Sequence, residues 1–93
     1  MKQSNWTFFS NHGHVYFLLA RNSDQTLREV ASEVGITERA VIGIVKDLAD
    51  DGYVTVEKNG RQNAYKIIPN KTLRHSIEQN VSLDDLIGVI NKS

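Results

Sequence analysis

The chain has no cysteine, which excludes a disulfide framework and a thiolate metal site. It has one proline, Pro69, and neither a repeat nor a low-complexity linker, so its 93 residues read as one small domain, 1–93. It lacks net charge: eleven basic residues face eleven acidic ones. Nucleic-acid binders are usually basic on at least one face, so only the placement of these charges can favour such a role. Long hydrophobic runs are also missing. The longest, residues 15–20, is too short to span a membrane, and the opening MKQSNWTFFS does not read as a signal peptide. A cytoplasmic protein with no membrane role is expected. Apolar residues make up 40% of the chain, enough for a modest core but marginal for a lone domain, so oligomerisation is expected before any motif is considered.

What is present is strongly patterned. Residues 11–21 read as a helix capped by Asn11, with Val15, Leu18 and Leu19 at helical spacing and Phe17 widening the apolar surface. Thr26 and Glu29 form a capping-box pattern that opens a second helix, whose apolar face is Leu27, Val30, Ala31 and Val34. Gly35 ends it, and Ile36 follows as a buried plug. Thr37 caps a third helix, Glu38 suits its first turn, and Val41, Ile44, Val45 and Leu48 form its buried stripe. Two strand-like runs then flank Asn59-Gly60, a preferred type I′ hairpin turn. A two-residue turn there sets Lys58 against Arg61, Val56 against Asn63 and Val54 against Tyr65, with Val54, Val56, Tyr65 and Ile67 facing the helices. Residues 72–78 suggest a short helix. Ser82 and Asp85 repeat the capping-box pattern before a last helix over 82–91.

Three helices, a hairpin and a C-terminal helix make an α+β winged helix-turn-helix. Its parts are an N-terminal arm and first helix (5–25), the helix-turn-helix (26–51), the wing (52–68) and a helical tail (69–93). Ala31 provides the small residue where the two helices cross, and Gly35 provides the turn. In this motif the second helix docks in the major groove of DNA. The segments NHGHVYFLLA, LREVASEVGITERAVIGIVKDLADDGYV and EKNGRQNAYKI together resemble the small winged-helix transcriptional regulators related to the MarR group. The resemblance spans most of residues 11–68. It implies a cytoplasmic, non-catalytic, homodimeric regulator of transcription that binds double-stranded DNA. It also implies that residues 37–50 are the recognition helix and the hairpin is the wing.

On the third helix, the face away from the core holds Glu38, Arg39, Ile42, Gly43 and Lys46. Thr37 and the helix N-terminus can meet a phosphate. Arg39 has the fork that matches a guanine edge, and Lys46 suits a phosphate. Ile42 and Gly43 depart from the polar side chains that the resemblance implies there. Ile42 can touch a thymine methyl, but it carries no hydrogen-bond code. In the wing, Lys58, Asn59, Arg61 and Asn63 are the candidates. Arg61 leads, because an arginine at a hairpin tip suits a narrow minor groove. A charged hairpin is also what discourages edge pairing, a purely structural use of Lys58 and Lys66. Glu29, Glu33, Asp47, Asp50 and Asp51 must then face mostly away from the duplex.

The ends suggest association. Trp6, Phe8, Phe9, Tyr16 and Phe17 exceed what one short helix needs. They fit either a homodimer interface or an aromatic cover over the core, and the C-terminal helix is a second interface candidate. No catalytic residues, cofactor or metal are expected. The spacing of His12 and His14 is not a same-face helical one, and no phosphate loop or catalytic triad is present. A small-molecule effector is allowed by this architecture, but no residue pattern marks its site. The rival reading is a winged helix that binds protein instead of DNA, which the neutral charge and Ile42 favour.

Overall fold

The computed structural model describes residues 5–92, with the Asn59 side chain left out. Three helices, α1 (Asn11–Arg21), α2 (Leu27–Val34) and α3 (Glu38–Asp50), precede a two-stranded antiparallel wing, β1 (Val54–Asn59) and β2 (Gln62–Ile67). A final helix, α4 (Leu83–Ile90), follows an irregular segment. The architecture is the winged helix-turn-helix expected from the sequence.

Local chemistry accounts for the helix ends. Thr26 Oγ1 accepts from the Glu29 amide at 3.1 Å, and Glu29 Oε1 accepts from the Thr26 amide at 2.8 Å. This completes the capping box. The paired bonds hold the Glu29 carboxyl below the usual glutamate range, the backbone bond from Thr26 being the main cause. Gly35 takes a left-handed φ of 87°, and its amide reaches the Ala31 carbonyl at 2.8 Å. A side chain there would be strained, so the turn of the motif rests on this glycine. Thr37 Oγ1 accepts from the Ala40 amide at 3.0 Å and opens α3.

The core lies where α1, α2, α3 and the wing meet. Val15, Leu19, Val30, Val41 and Val54 are its most enclosed side chains, each worth about 1.5–3 kcal/mol on full burial. Ala31 is buried, and α2 packs against α3. The Tyr65 amide donates to the Ser23 carbonyl at 3.1 Å, tying the wing to the loop after α1. Asn91 Nδ2 donates to the Phe17 carbonyl at 3.1 Å and seats the end of α4 on α1.

Several local expectations are corrected. Ser10, not Asn11, caps α1: its side chain accepts from the Gly13 amide, and its carbonyl accepts from His14. Phe9 then stands just outside the helix, edge-on to Phe17 with centroids 5.3 Å apart. That contact favours the earlier start over two otherwise good caps. The wing register is shifted by two residues. Val56 pairs with Tyr65, Lys58 with Asn63 and Val54 with Ile67, so Gly60 and Arg61 form the turn. Gly60 carries a positive φ of 68° at the first turn position, where a II′ turn uses glycine. The Ile68 amide reaches the Tyr53 carbonyl at 3.0 Å, and the longer ladder at the wing base accounts for the register. A two-residue shift keeps every side chain on its face. Val54 and Tyr65 are therefore still buried, whereas Val56, further out, is exposed. Ile36 is half-buried against the core instead of a full plug.

Residues 72–78 are not helical. Thr72 bridges Ser82, the Leu73 amide reaches the Val81 carbonyl, and isolated turns join them. His75 Nδ1 takes the Ile77 amide, a local bond that competes with helix formation. Ser82 caps α4 by accepting from the Asp84 and Asp85 amides. Asp84, not Asp85, makes the further backbone contact, to the Asn70 amide at 3.1 Å.

Candidate nucleic-acid interface

The buried stripe of α3 is Val41, Ile44, Val45 and Leu48. Its periodicity sends Arg39, Ile42, Gly43 and Lys46 outward, and all four are exposed. Their spacing of three, four and seven residues makes one continuous strip along the helix. Thr37 sits at its N-terminal end, its hydroxyl oxygen accepting from Ala40 while its own proton stays available to a ligand. Ile42 is 52% exposed, an apolar patch in the middle of the strip. A Cβ built on Gly43 meets nothing within 4 Å, so packing inside the protein does not require a glycine there.

The wing approaches the start of this strip. A crevice of about 220 Å³ is lined by Thr26, Glu38, Arg61 and Asn63, with Asp24 at its edge. Arg61 and Asn63 thus come beside the first turn of α3, as a shared surface demands. Asn63 Nδ2 is 3.5 Å from the Tyr65 hydroxyl. Lys58 is exposed further along the wing. The Asn59 side chain lies outside the described residues.

Pairing leaves the overall charge balance unchanged but fixes which charges are engaged inside the fold. Glu33 is bound by Arg21, Asp51 by Arg74 at 2.9 Å, Glu57 by Lys66 at 2.9 Å, and Asp47 by His12 at 2.9 Å. Four acidic side chains are thereby partnered within the fold. Arg39, Lys58 and Arg61 enter no ion pair among the described residues. Lys46 differs from expectation: it holds Asp50 at 2.7 Å one turn on, and that bond raises its pKa. Exposed pairs of this kind are weak, so a phosphate can replace the carboxylate. Glu38 and Asp24 interrupt the basic surface between α3 and the wing tip.

Two features escaped the sequence reading. The His12–Asp47 bond joins the start of α1 to α3 across 35 positions, a pairing that no local pattern announces. Gly13 lies under Phe9, where an added Cβ would come within 3.2 Å of the Phe9 Cβ. Only the nearby excess of aromatics hinted at it. The three histidines join no metal-binding group among the described residues. Among the described residues, no helix is long and apolar enough to cross a membrane.

The sequence model of the family described as sugar-specific transcriptional regulator TrmB matches residues 9–71, which take in all three core helices and the wing. The chain belongs to the TrmB family. It is a DNA-binding winged helix-turn-helix domain of that non-enzymatic family of transcriptional regulators. Among solved structures, the crystal structure of the zinc-dependent MarR family transcriptional regulator AdcR in its zinc-bound state is similar. Its TM-score is 0.53 and its identity 20%, over 71% of this chain and 47% of that one. At that identity the likeness concerns the fold, and this chain spans about half the length of that regulator. Among curated proteins, none matches this chain.

Proposed function

We propose that α3 enters the major groove with the strip Arg39, Ile42, Gly43 and Lys46 facing the bases, while the wing tip lies along the adjacent minor groove. The observation that carries this reading is the exposed strip beside a wing tip whose arginine is unpaired among the described residues. Arg39 has the geometry for a guanine edge, and Ile42 for a thymine methyl. Gly43 permits close approach of the helix to the groove floor. Thr37 and the first-turn amides take a phosphate, and Lys46 takes another after leaving Asp50. Arg61 reaches the minor groove, with Lys58, Asn59 and Asn63 supporting it along the backbone. With one apolar and one absent side chain at the centre of the strip, sequence selectivity is modest and DNA shape contributes to it.

The functional unit in this reading is a homodimer, which doubles the contacts and suits a two-fold operator. Its interface uses the N-terminal aromatic segment, the outer face of α4, or both. Trp6, in the aromatic segment, is 67% exposed, and Val89, on α4, is 72% exposed, so both surfaces offer apolar side chains to a second copy.

The test is fluorescence anisotropy on duplex DNA across a salt series, with Arg61→Ala and Arg39→Ala beside the parent. Each lost phosphate or groove contact should lower the slope of log affinity against log salt by about one. Arg39→Ala should also flatten the preference among duplex sequences, which Arg61→Ala leaves largely intact. Parent-like slopes in both variants would refute the assignment.

A further inference from the structure

Away from the wing, a second cavity of about 860 Å³ lies between the start of α1, the C-terminal end of α3 and the segment after the wing. Its size is that of a small-molecule pocket. Five aromatic side chains line it: Phe8, Phe9, Tyr16, Phe17 and Tyr53. Three carboxylates, Asp47, Asp51 and Glu78, share the wall with one guanidinium, Arg74, and two imidazoles, His12 and His75, which add no charge when neutral. Asp47 and Asp51 already hold His12 and Arg74, whereas Glu78 enters no ion pair among the described residues. The cavity therefore combines aromatic faces with an excess of negative charge.

We propose that this cavity binds a lipophilic organic monocation, its charge held by Glu78 and by aromatic faces and its apolar groups packed against Phe8, Phe9 and Phe17. Aromatic rings attract cations through their negative faces, most strongly when the cation is poorly hydrated. One of the lining rings already carries such a contact, although its cation does not line the cavity: the Lys71 ammonium lies 5.6 Å from the Tyr53 ring centroid. An organic anion of the same shape would meet three carboxylates against one guanidinium, and Arg74 is already held by Asp51. A small hydrated cation would gain little from aromatic walls. Phe8, 89% exposed and edge-on to Trp6 at 5.0 Å between centroids, is the rim that a bound apolar group would cover. The site shares no residue with the strip or the wing tip, but it shares Phe8 and Phe9 with one of the two dimer interfaces proposed above, so it rests on the dimer that uses α4. It does touch the other end of α3 through Asp47, Leu48 and Asp51.

Isothermal titration calorimetry tests this, with tetraphenylphosphonium as the cation, tetraphenylborate as its isosteric anion and a neutral disaccharide as a third probe. Trp6 fluorescence provides a second readout, since it is the chain's single tryptophan. The cation should bind saturably and about tenfold or more tightly than the anion, a difference within reach of one desolvated charge contact. Glu78→Gln should weaken the cation and narrow its advantage over the anion. Phe8→Ala, at a side chain outside the core, should weaken the cation without altering thermal stability. Absence of saturable cation binding would overturn the proposal. So would equal or tighter binding of the anion or the disaccharide, or an unchanged preference in Glu78→Gln. Cation affinity that falls as protein concentration rises would assign these aromatic faces to a second copy of the chain, and would also overturn it.

Discussion

Replacing Gly43 by alanine separates the two uses of α3. The residue lies in the interior of a 13-residue helix, and its φ is not among the positive values. An added Cβ meets nothing within 4 Å, so alanine introduces no clash inside the fold. What remains is the backbone-entropy cost of a mid-helix glycine. Gly43→Ala should therefore stabilise the protein by about 0.5–1 kcal/mol. For a domain of this size that is a rise of about 2–8 °C in Tm. Urea denaturation should show a higher midpoint with an unchanged slope, since the surface exposed on unfolding barely changes. DNA affinity should move the other way. A methyl group pressed into a close-packed contact costs about 1–3 kcal/mol, which is about fivefold or more in Kd. A more stable protein that binds DNA less well is the expected pair of results. An unchanged or lower Tm would mean that α3 is covered by something other than solvent. Raised stability with unchanged affinity would remove Gly43 from the DNA contact.

Three further outcomes are expected. Glu29 has a lowered pKa in the folded state, so its contribution is present above the ordinary glutamate value of 4.5 and is lost as pH falls through the lowered one. Urea midpoints across that acidic range should therefore fall more steeply for the parent than for Glu29→Gln, and parallel profiles would count against the capping box as the cause. The Tyr16 hydroxyl is buried without a hydrogen-bond partner among the described residues, and its pKa is pushed up to about 12, by burial first and then by Asp84. Tyr16→Phe should leave stability unchanged or raise it by about 1 kcal/mol, and a loss of that size in urea denaturation would reveal a partner for the hydroxyl. Leu19→Ala, at a 1% exposed core position, should cost about 2–5 kcal/mol by the same assay, and a cost below about 1 kcal/mol would mean that Leu19 is not packed in the core.

The elements of this fold were legible because their signals are local. Thr26 with Glu29, Gly35 after Val34 and Thr37 before Glu38 each act within a few residues, and each does in the structure what its spacing implies. The wing was legible as a hairpin, but its register was not. Asn59-Gly60 and Gly60-Arg61 are both acceptable turns, and the choice is made by pairing at the far end of the wing, near Tyr53 and Ile68. Residues 72–78 misled for the opposite reason. Their apparent helical character is overruled by the Thr72–Ser82 bridge, a contact that depends on where α4 lies. The exposed strip of α3 followed directly from its buried stripe. The pairing of Lys46 with Asp50 was readable in principle from the i,i+4 spacing. The His12–Asp47 bond and the aromatic cavity were not, because both join segments distant in sequence.

In the proposed function, α3 and the wing tip form one DNA-facing surface. Backbone amide chemical shifts, followed by NMR as duplex DNA is added to the full chain, test it most directly. The largest changes are expected at residues 37–46 and at Gly60 and Arg61, with the amides of residues 72–78 and α4 little affected. Changes concentrated in those latter segments, with α3 and the wing silent, would contradict it.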